Sequence, residues 1–173
     1  TFLLTSRDSP EEIVQHVRST GVNTVQIVDD SVGEDVWIAL REELPAVRIV
    51  QVIHMRSRSS VDLALAAASH VDTLLLDSGH PGRRELGGTG RVHDWSLSRR
   101  VVESCRIPVL LAGGLNAANV ASAMEAVRPF GIDLCSGVRT NGTLDASKLA
   151  ALVLAIRAAD AEGAEGWPLP HVR

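Results

Sequence analysis

Short apolar runs rich in β-branched residues alternate with amphipathic stretches along most of the chain. The runs are Phe2-Leu3-Leu4, Thr24-Val25-Gln26-Ile27-Val28, Arg48-Ile49-Val50-Gln51-Val52-Ile53, Val71-Asp72-Thr73-Leu74-Leu75-Leu76, Pro108-Val109-Leu110-Leu111-Ala112 and Ile132-Asp133-Leu134-Cys135. Near-continuous apolarity over such short lengths predicts strands covered on both faces, as in a parallel sheet. Helix starts fall between them. In Ser9-Pro10-Glu11-Glu12, Ser9 takes the N-cap, Pro10 the first helical position and the glutamates the first turn, ahead of a stripe at Ile13, Val14 and Val17. Ser60-Val61-Asp62 opens a helix through Ala64, Leu65 and Ala68. Asp94 caps one carrying Leu97, Val101 and Val102, and Asn116 caps one at 120–127. Asp145 begins the last, with Leu149, Leu152, Val153 and Ile156 on one face.

Strand starts recur about every 22 to 24 residues, the length of a βα unit with a right-handed crossover. One interval is longer, and its excess falls in the loop at 80–93. An insertion after the C-terminal end of a strand is typical of a functional lid. Six units result. An open doubly wound sheet can use six, whereas a closed (β/α)8 barrel needs eight.

Composition narrows the function classes. The chain has 173 residues, enough for one domain with a sizeable core. Aromatics make up 3%, there is no tyrosine, and net charge is −4. Base-stacking platforms and a basic footprint are therefore absent, which argues against nucleic acid and anionic membrane as partners. A small anion stays open, because backbone N–H groups hold phosphate without net positive charge. Cys105 and Cys135 show no Cys-x-x-Cys and no metal-type spacing, so no disulfide, no metal and a reduced cytoplasmic setting are expected. No apolar run approaches the ~18 residues of a membrane span. The first residues do not form a signal peptide. With no initiator methionine, the expectation is a start within a longer product. Residues 1–160 are expected to form a single domain, and 161–173, around Trp167, a frayed extension or docking arm.

Three constellations carry chemistry. In Leu74-Leu75-Leu76-Asp77-Ser78 an apolar strand delivers a carboxylate to its C-terminal rim and runs into the loop Gly87-Gly88-Thr89-Gly90. Partial burial favours the protonated form of a carboxyl, which a general acid needs. The competing role for Asp77 is an Asx-turn with Gly79. Next, Ala112-Gly113-Gly114-Leu115-Asn116 and Ser136-Gly137-Val138 follow consecutive strands, so they should be neighbours. Each alone could be a tight βα turn; paired in register, their exposed N–H groups suit a phosphate. Finally, alternation puts Asp133 and Cys135 on one face. An acid inside a strand needs a partner or a polar cavity, so a salt bridge inside a barrel competes with a binding role. Cys135 reads as a small core residue, His54 as a strand end able to reach the rim, and His80 and His93 as solvated loop positions.

These stretches resemble the phosphoribosylanthranilate isomerase family. The matching segments are Leu76-Asp77-Ser78, Gly87-Gly88-Thr89-Gly90 followed by Asp94-Trp95-Ser96, Leu111-Ala112-Gly113-Gly114-Leu115-Asn116, and Arg128-Pro129-Phe130-Gly131-Ile132-Asp133 followed by Ser136-Gly137-Val138. The resemblance implies a (β/α)8 TIM barrel of which this chain supplies strands three to eight. It implies a cofactor-free Amadori rearrangement of N-(5-phosphoribosyl)anthranilate, with a small phosphorylated sugar as the partner and a monomer or homodimer as the assembly. Asp77 matches the family's general acid, and Asp133 an acid near the anthranilate amine. Gly88 and Thr89 match the substrate-binding loop, and Gly113, Gly114, Ser136 and Gly137 the phosphate positions. The family's base is a cysteine in a Lys-x-Cys-Gly-x-Thr stretch on its first strand, which nothing here matches. Gln51 stands where a lysine is common, Val28 where a histidine is, and Arg139 where a glutamate is. The alternative is a divergent or non-catalytic phosphate-binding barrel. An open-sheet nucleotide binder would need Gly-x-Gly-x-x-Gly after the first strand, and none is present.

Overall fold

The computed structural model describes residues 1–78 and 92–163. The loop residues Gly87, Gly88, Thr89 and Gly90 and the tail around Trp167 lie outside the described residues. Chain order is β1 (Phe2–Thr5), α1 (Pro10–Thr20), β2 (Thr24–Ile27), α2 (Glu34–Glu43), β3 (Arg48–His54), α3 (Ser59–Ala67), β4 (Thr73–Asp77), α4 (Trp95–Ser104), β5 (Val109–Leu111), α5 (Val120–Val127) and β6 (Gly131–Ile132). A 3₁₀ turn (Ser136–Val138), a short hairpin of β7 (Arg139–Thr140) and β8 (Thr143–Leu144), and α6 (Ala146–Gly163) follow.

Strands β1 to β6 form one sheet in sequential order, and every pairing is parallel. The register runs Thr5↔Ile27, Ile27↔Gln51, His54↔Asp77, Leu76↔Leu111 and Leu111↔Ile132, so the C-terminal ends of the strands share one rim. The ends of the edge strands β1 and β6 line one cavity, which shows that the sheet curls. This is the expected partial barrel of six βα units.

Alternation divides the strand residues between two layers. Ile49, Ile53, Leu74, Leu76, Val109 and Leu111 face outward, onto Ile13, Val17, Leu40, Val61, Ala64 and Val101 of the helices. Val50, Val52, Leu75 and Ala112 form a smaller cluster on the inner face. On β1, Leu3 packs outward, while Phe2 and Leu4 on the opposite face are 56% and 59% exposed.

The helix starts follow their caps. Ser9 Oγ accepts from the Glu12 amide at 3.2 Å, and Asp94 Oδ1 from the Ser96 amide at 3.0 Å. Gly21 closes α1 in the left-handed region, at φ +64°. Four features differ from the sequence reading. Helix α2 is unanticipated, because Gly33 at its N-cap has no side chain to signal a start. The N-cap of α5 is Asn119, not Asn116. Strand β6 ends at Ile132, so Asp133 stands just past the strand rather than inside it. Lastly, Asn141 and Gly142, at φ +51° and +79°, turn the β7–β8 hairpin.

Gln51 is a buried polar fastener. It faces outward from β3, is 1% exposed, and accepts from Trp37 Nε1 of α2 at 2.9 Å. Its amide nitrogen donates to the carbonyl oxygens of Asp29 and Val52, each at 2.9 Å. The His70 ring stacks on Trp37 with centroids 5.4 Å apart. One carboxamide thus ties α2 to the sheet. Gln51→Met keeps the volume and strands the indole N–H, so it should destabilise the fold by about 1–3 kcal/mol. Urea unfolding reads this directly; an unchanged midpoint would mean that the bond contributes nothing.

Candidate active site

Strand ends around the rim build the site. Leu4, Asp77, Gly113, Asp133 and Ser136 line a cavity of about 380 Å³ at the C-terminal rim, within the size range of small-molecule sites. Asp77 is the last residue of β4, behind Leu74, Leu75 and Leu76, which are all buried. Its side chain is 14% exposed. The Ser78 amide donates to Asp77 Oδ1 at 2.8 Å. Asp77 Oδ2 lies 3.9 Å from Nδ1 of His54, its register neighbour on β3, beyond hydrogen-bond reach. The buried His54 Nδ1 has no hydrogen-bond partner among the described residues.

Asp133 faces the same cavity. Asp133 is exposed to solvent on the cavity side, yet partial desolvation there pushes its carboxyl above the ordinary range, the Asp77 charge pushes the same way, and the Leu134 amide opposes both. Among the described residues, the charge beside Asp133 is a second acid, Asp77. Two carboxyl groups on one cavity are a common acid–base arrangement.

The glycine turns meet where the sequence places them. Gly113 and Gly114 adopt φ +87° and +67°, and the Asn116 and Asn119 carboxamides both donate to the Gly114 carbonyl, at 3.3 and 3.0 Å. A Cβ on Gly113 would overlap Ser78 Oγ and lie 2.6 Å from the Ser78 nitrogen. On Gly137 it would overlap the Leu115 carbonyl oxygen and lie 3.3 Å from Asn116 Cα. The exits of β4, β5 and β6 therefore touch backbone to backbone. The leading N–H groups of the 3₁₀ turn at Ser136–Val138 have no partner within that turn, and such groups suit an anion.

Asp77, Asp133, Gly113, Gly114, Ser136 and Gly137 thus surround one cavity, while Gly88 and Thr89 lie outside the described residues. Two expectations are corrected. Cys135 is exposed and lines the cavity instead of filling the core, because β6 ends before it. His93 is no solvated loop residue: its ring lies between Ser78 Oγ at 3.1 Å and Ser98 Oγ at 2.6 Å. Burial lowers its pKa, against the Asp77 and Asp94 charges that raise it. Leu4, Thr5 and Ser6 also line the cavity, which no local signal marks. No cluster of three or more His, Cys, Asp or Glu side chains able to hold a metal occurs among the described residues. None of the described helices is long and apolar enough to cross a membrane.

Known proteins share the sequence pattern and the fold of this chain. Residues 6–155 match the family model described as PRAI, N-(5'phosphoribosyl)anthranilate (PRA) isomerase. N-(5'-phosphoribosyl)anthranilate isomerase 2 of Methanosarcina mazei is 37% identical over 148 residues, which cover 85% of this chain and 65% of that protein. The N-(5'-phosphoribosyl)anthranilate isomerase of Nostoc punctiforme is 40% identical over 142 residues, covering 82% and 65%. The solved structure of phosphoribosyl anthranilate isomerase from Thermococcus kodakaraensis superposes with a TM-score of 0.73 at 27% identity, over 90% of this chain and 73% of that one. The chain spans 65% of the length of each curated relative named here.

The contacts make two predictions. Gly21 and Gly113 both have positive φ, but only Gly113 has a neighbour where a Cβ would go. Gly21→Ala should cost about 1 kcal/mol of backbone strain. Gly113→Ala should cost about 1–3 kcal/mol more in overlap. Equal losses in denaturant unfolding would contradict the Ser78 contact. The second concerns pH. A carboxyl whose folded pKa is raised holds its charge at a cost, so its contribution to stability falls as pH rises from the ordinary 3.8 through the folded value. Solvent screens the exposed Asp133, so Asp133→Asn should be only slightly more stable than the parent at neutral pH, with the gain vanishing below about pH 4. A gain that is independent of pH would rule this out.

Proposed function

Because the chain belongs to the N-(5'-phosphoribosyl)anthranilate isomerase family, we propose that it forms six βα units of a (β/α)8 isomerase of tryptophan biosynthesis. The reaction is the cofactor-free Amadori rearrangement of N-(5-phosphoribosyl)anthranilate to 1-(2-carboxyphenylamino)-1-deoxyribulose 5-phosphate. The observation that carries the reading is that Asp77 and both glycine turns open on one cavity at the strand C-terminal rim.

In this reading Asp77 is the general acid. Its proton goes to the ribose ring oxygen, the C1–O bond breaks, and the nitrogen lone pair forms the iminium. A base then removes the C2 proton, and the enolamine tautomerises to the ketone. Asp133, which lines the same cavity, receives the anthranilate amine in this reading. The phosphate takes the N–H groups of Gly113, Gly114, Ser136 and Gly137, and Gly88 and Thr89 complete the substrate loop. The family's cysteine base has no counterpart in these residues, so the full reaction belongs to a barrel with two further βα units. A non-catalytic sugar-phosphate binder would account for the glycine turns but not for two carboxyl groups aimed at the same space.

In this reading residues 1–160 belong to one domain, the partial barrel, with α6 carrying on to Gly163. The enzyme is cytoplasmic, a monomer or homodimer, with no nucleic acid or membrane partner. The gene product that carries this chain should turn over phosphoribosylanthranilate, and Asp77→Asn should lower kcat by about 10²-fold or more while leaving the fold intact. A folded product with no turnover, or a variant with unchanged kcat, overturns the mechanism.

A further inference from the structure

We propose that His93 is a positioning residue of this site, acting through Ser78 on both the Asp77 carboxyl and the Gly113–Gly114 turn. The half of this concerning Asp77 rests on the isomerase reading; the half concerning the glycine turn does not.

Four contacts carry it. His93 Nε2 lies 2.6 Å from Ser98 Oγ, and Ser98 is fully buried in α4. His93 Nδ1 lies 3.1 Å from the hydroxyl of Ser78, which is 8% exposed. The ring therefore spans from α4 to the exit of β4. Ser78 then faces two ways: its amide donates to Asp77 Oδ1 at 2.8 Å, and its hydroxyl occupies the space that a Cβ on Gly113 would need. A displacement of Ser78 moves the acid and the first glycine turn together.

The chemistry of the ring fits this role. Neutral imidazole has one donor and one acceptor nitrogen, and a serine hydroxyl can serve as either, so both bonds form with either tautomer. Burial favours the neutral ring, against the pull of Asp77 from β4 and Asp94 from the start of α4. A neutral ring orients Ser78 without setting a positive charge beside the acid.

Asn and Gln at position 93 separate the two bonds. An Asn amide reaches the place of Nδ1 and keeps the Ser78 link, whereas a Gln amide reaches the place of Nε2 and keeps the Ser98 link. In the complete gene product, His93→Gln should lower kcat by about tenfold or more and raise KM, since misplacement on the ångström scale is costly. His93→Asn should restore most of kcat even if it melts earlier. If both variants lose activity in proportion to lost stability, His93 only holds α4 in place, and the proposal fails.

Two readouts need no turnover. The ring nitrogens of His93, followed by NMR, should show a neutral, hydrogen-bonded imidazole at pH 6.5, where an unperturbed histidine is half protonated. Inorganic phosphate should bind His93→Gln about fivefold or more weaker than the parent, and His93→Asn like the parent. A protonated ring at that pH, or equal phosphate affinity in all three proteins, overturns the proposal. If the ring and phosphate results hold while the gene product shows no isomerase activity, the isomerase reading fails and the positioning of the glycine turn stands.

Discussion

Three strand exits meet at the rim with no room for a side chain between them. Ser78 lies against Gly113, and the Leu115 carbonyl against Gly137. Everything else at the site follows from that closeness. The parallel register brings β4, β5 and β6 side by side, but register alone leaves space between loops. Bare Cα atoms close it, bringing the acid at the end of β4 and the backbone N–H groups after β5 and β6 within the reach of one small ligand. A Cβ at either glycine would push two of these exits apart.

Away from the rim, order depends on polar groups placed in an apolar layer. Gln51 lies among outward-facing strand residues yet satisfies an indole N–H and two carbonyls. Asp72 accepts from Arg41 of α2 at 2.8 Å and from the Ile49 amide at 2.7 Å, joining a helix to the start of two strands. Hydrophobic burial alone lets a helix slide along a sheet; these directed bonds admit one position. His93 fastens α4 to the site in the same way, with the difference that one of its partners, Ser78, is itself the acid's anchor.

How much of this is visible in the residues depends on whether the cause is local. The strands are legible because double-sided burial leaves unbroken apolar runs, and their order follows from repeat length and crossover handedness. Asp77 and the paired glycine turns are legible because topology sends every strand end of such a fold to the same rim. Helix α2 is not, since Gly33 gives no cap and Trp37 is held by Gln51, 14 residues on. His93 looks like a loop residue because its burial comes from Ser78 and Ser98, which only the folded chain brings to it. The end of β6 is misjudged because Leu134 and Cys135 continue the apolar pattern past the last ladder bond, from the Asp133 amide to the Leu111 carbonyl. The β7–β8 hairpin carries its own local signal, since Asn141-Gly142 is a strong two-residue turn pair.

The contact between Ser78 and Gly113 makes distant positions one unit of variation. A bulkier residue at 78 is opposed by the backbone at 113, a side chain at 113 is opposed by the one at 78, and the orientation of 78 answers to 93 and, through it, to 98. Residues in such direct contact do not contribute additively. Changes among these four positions must therefore arise in compatible combinations, and reshaping the turn for a different anion means rebuilding the exit of β4 as well.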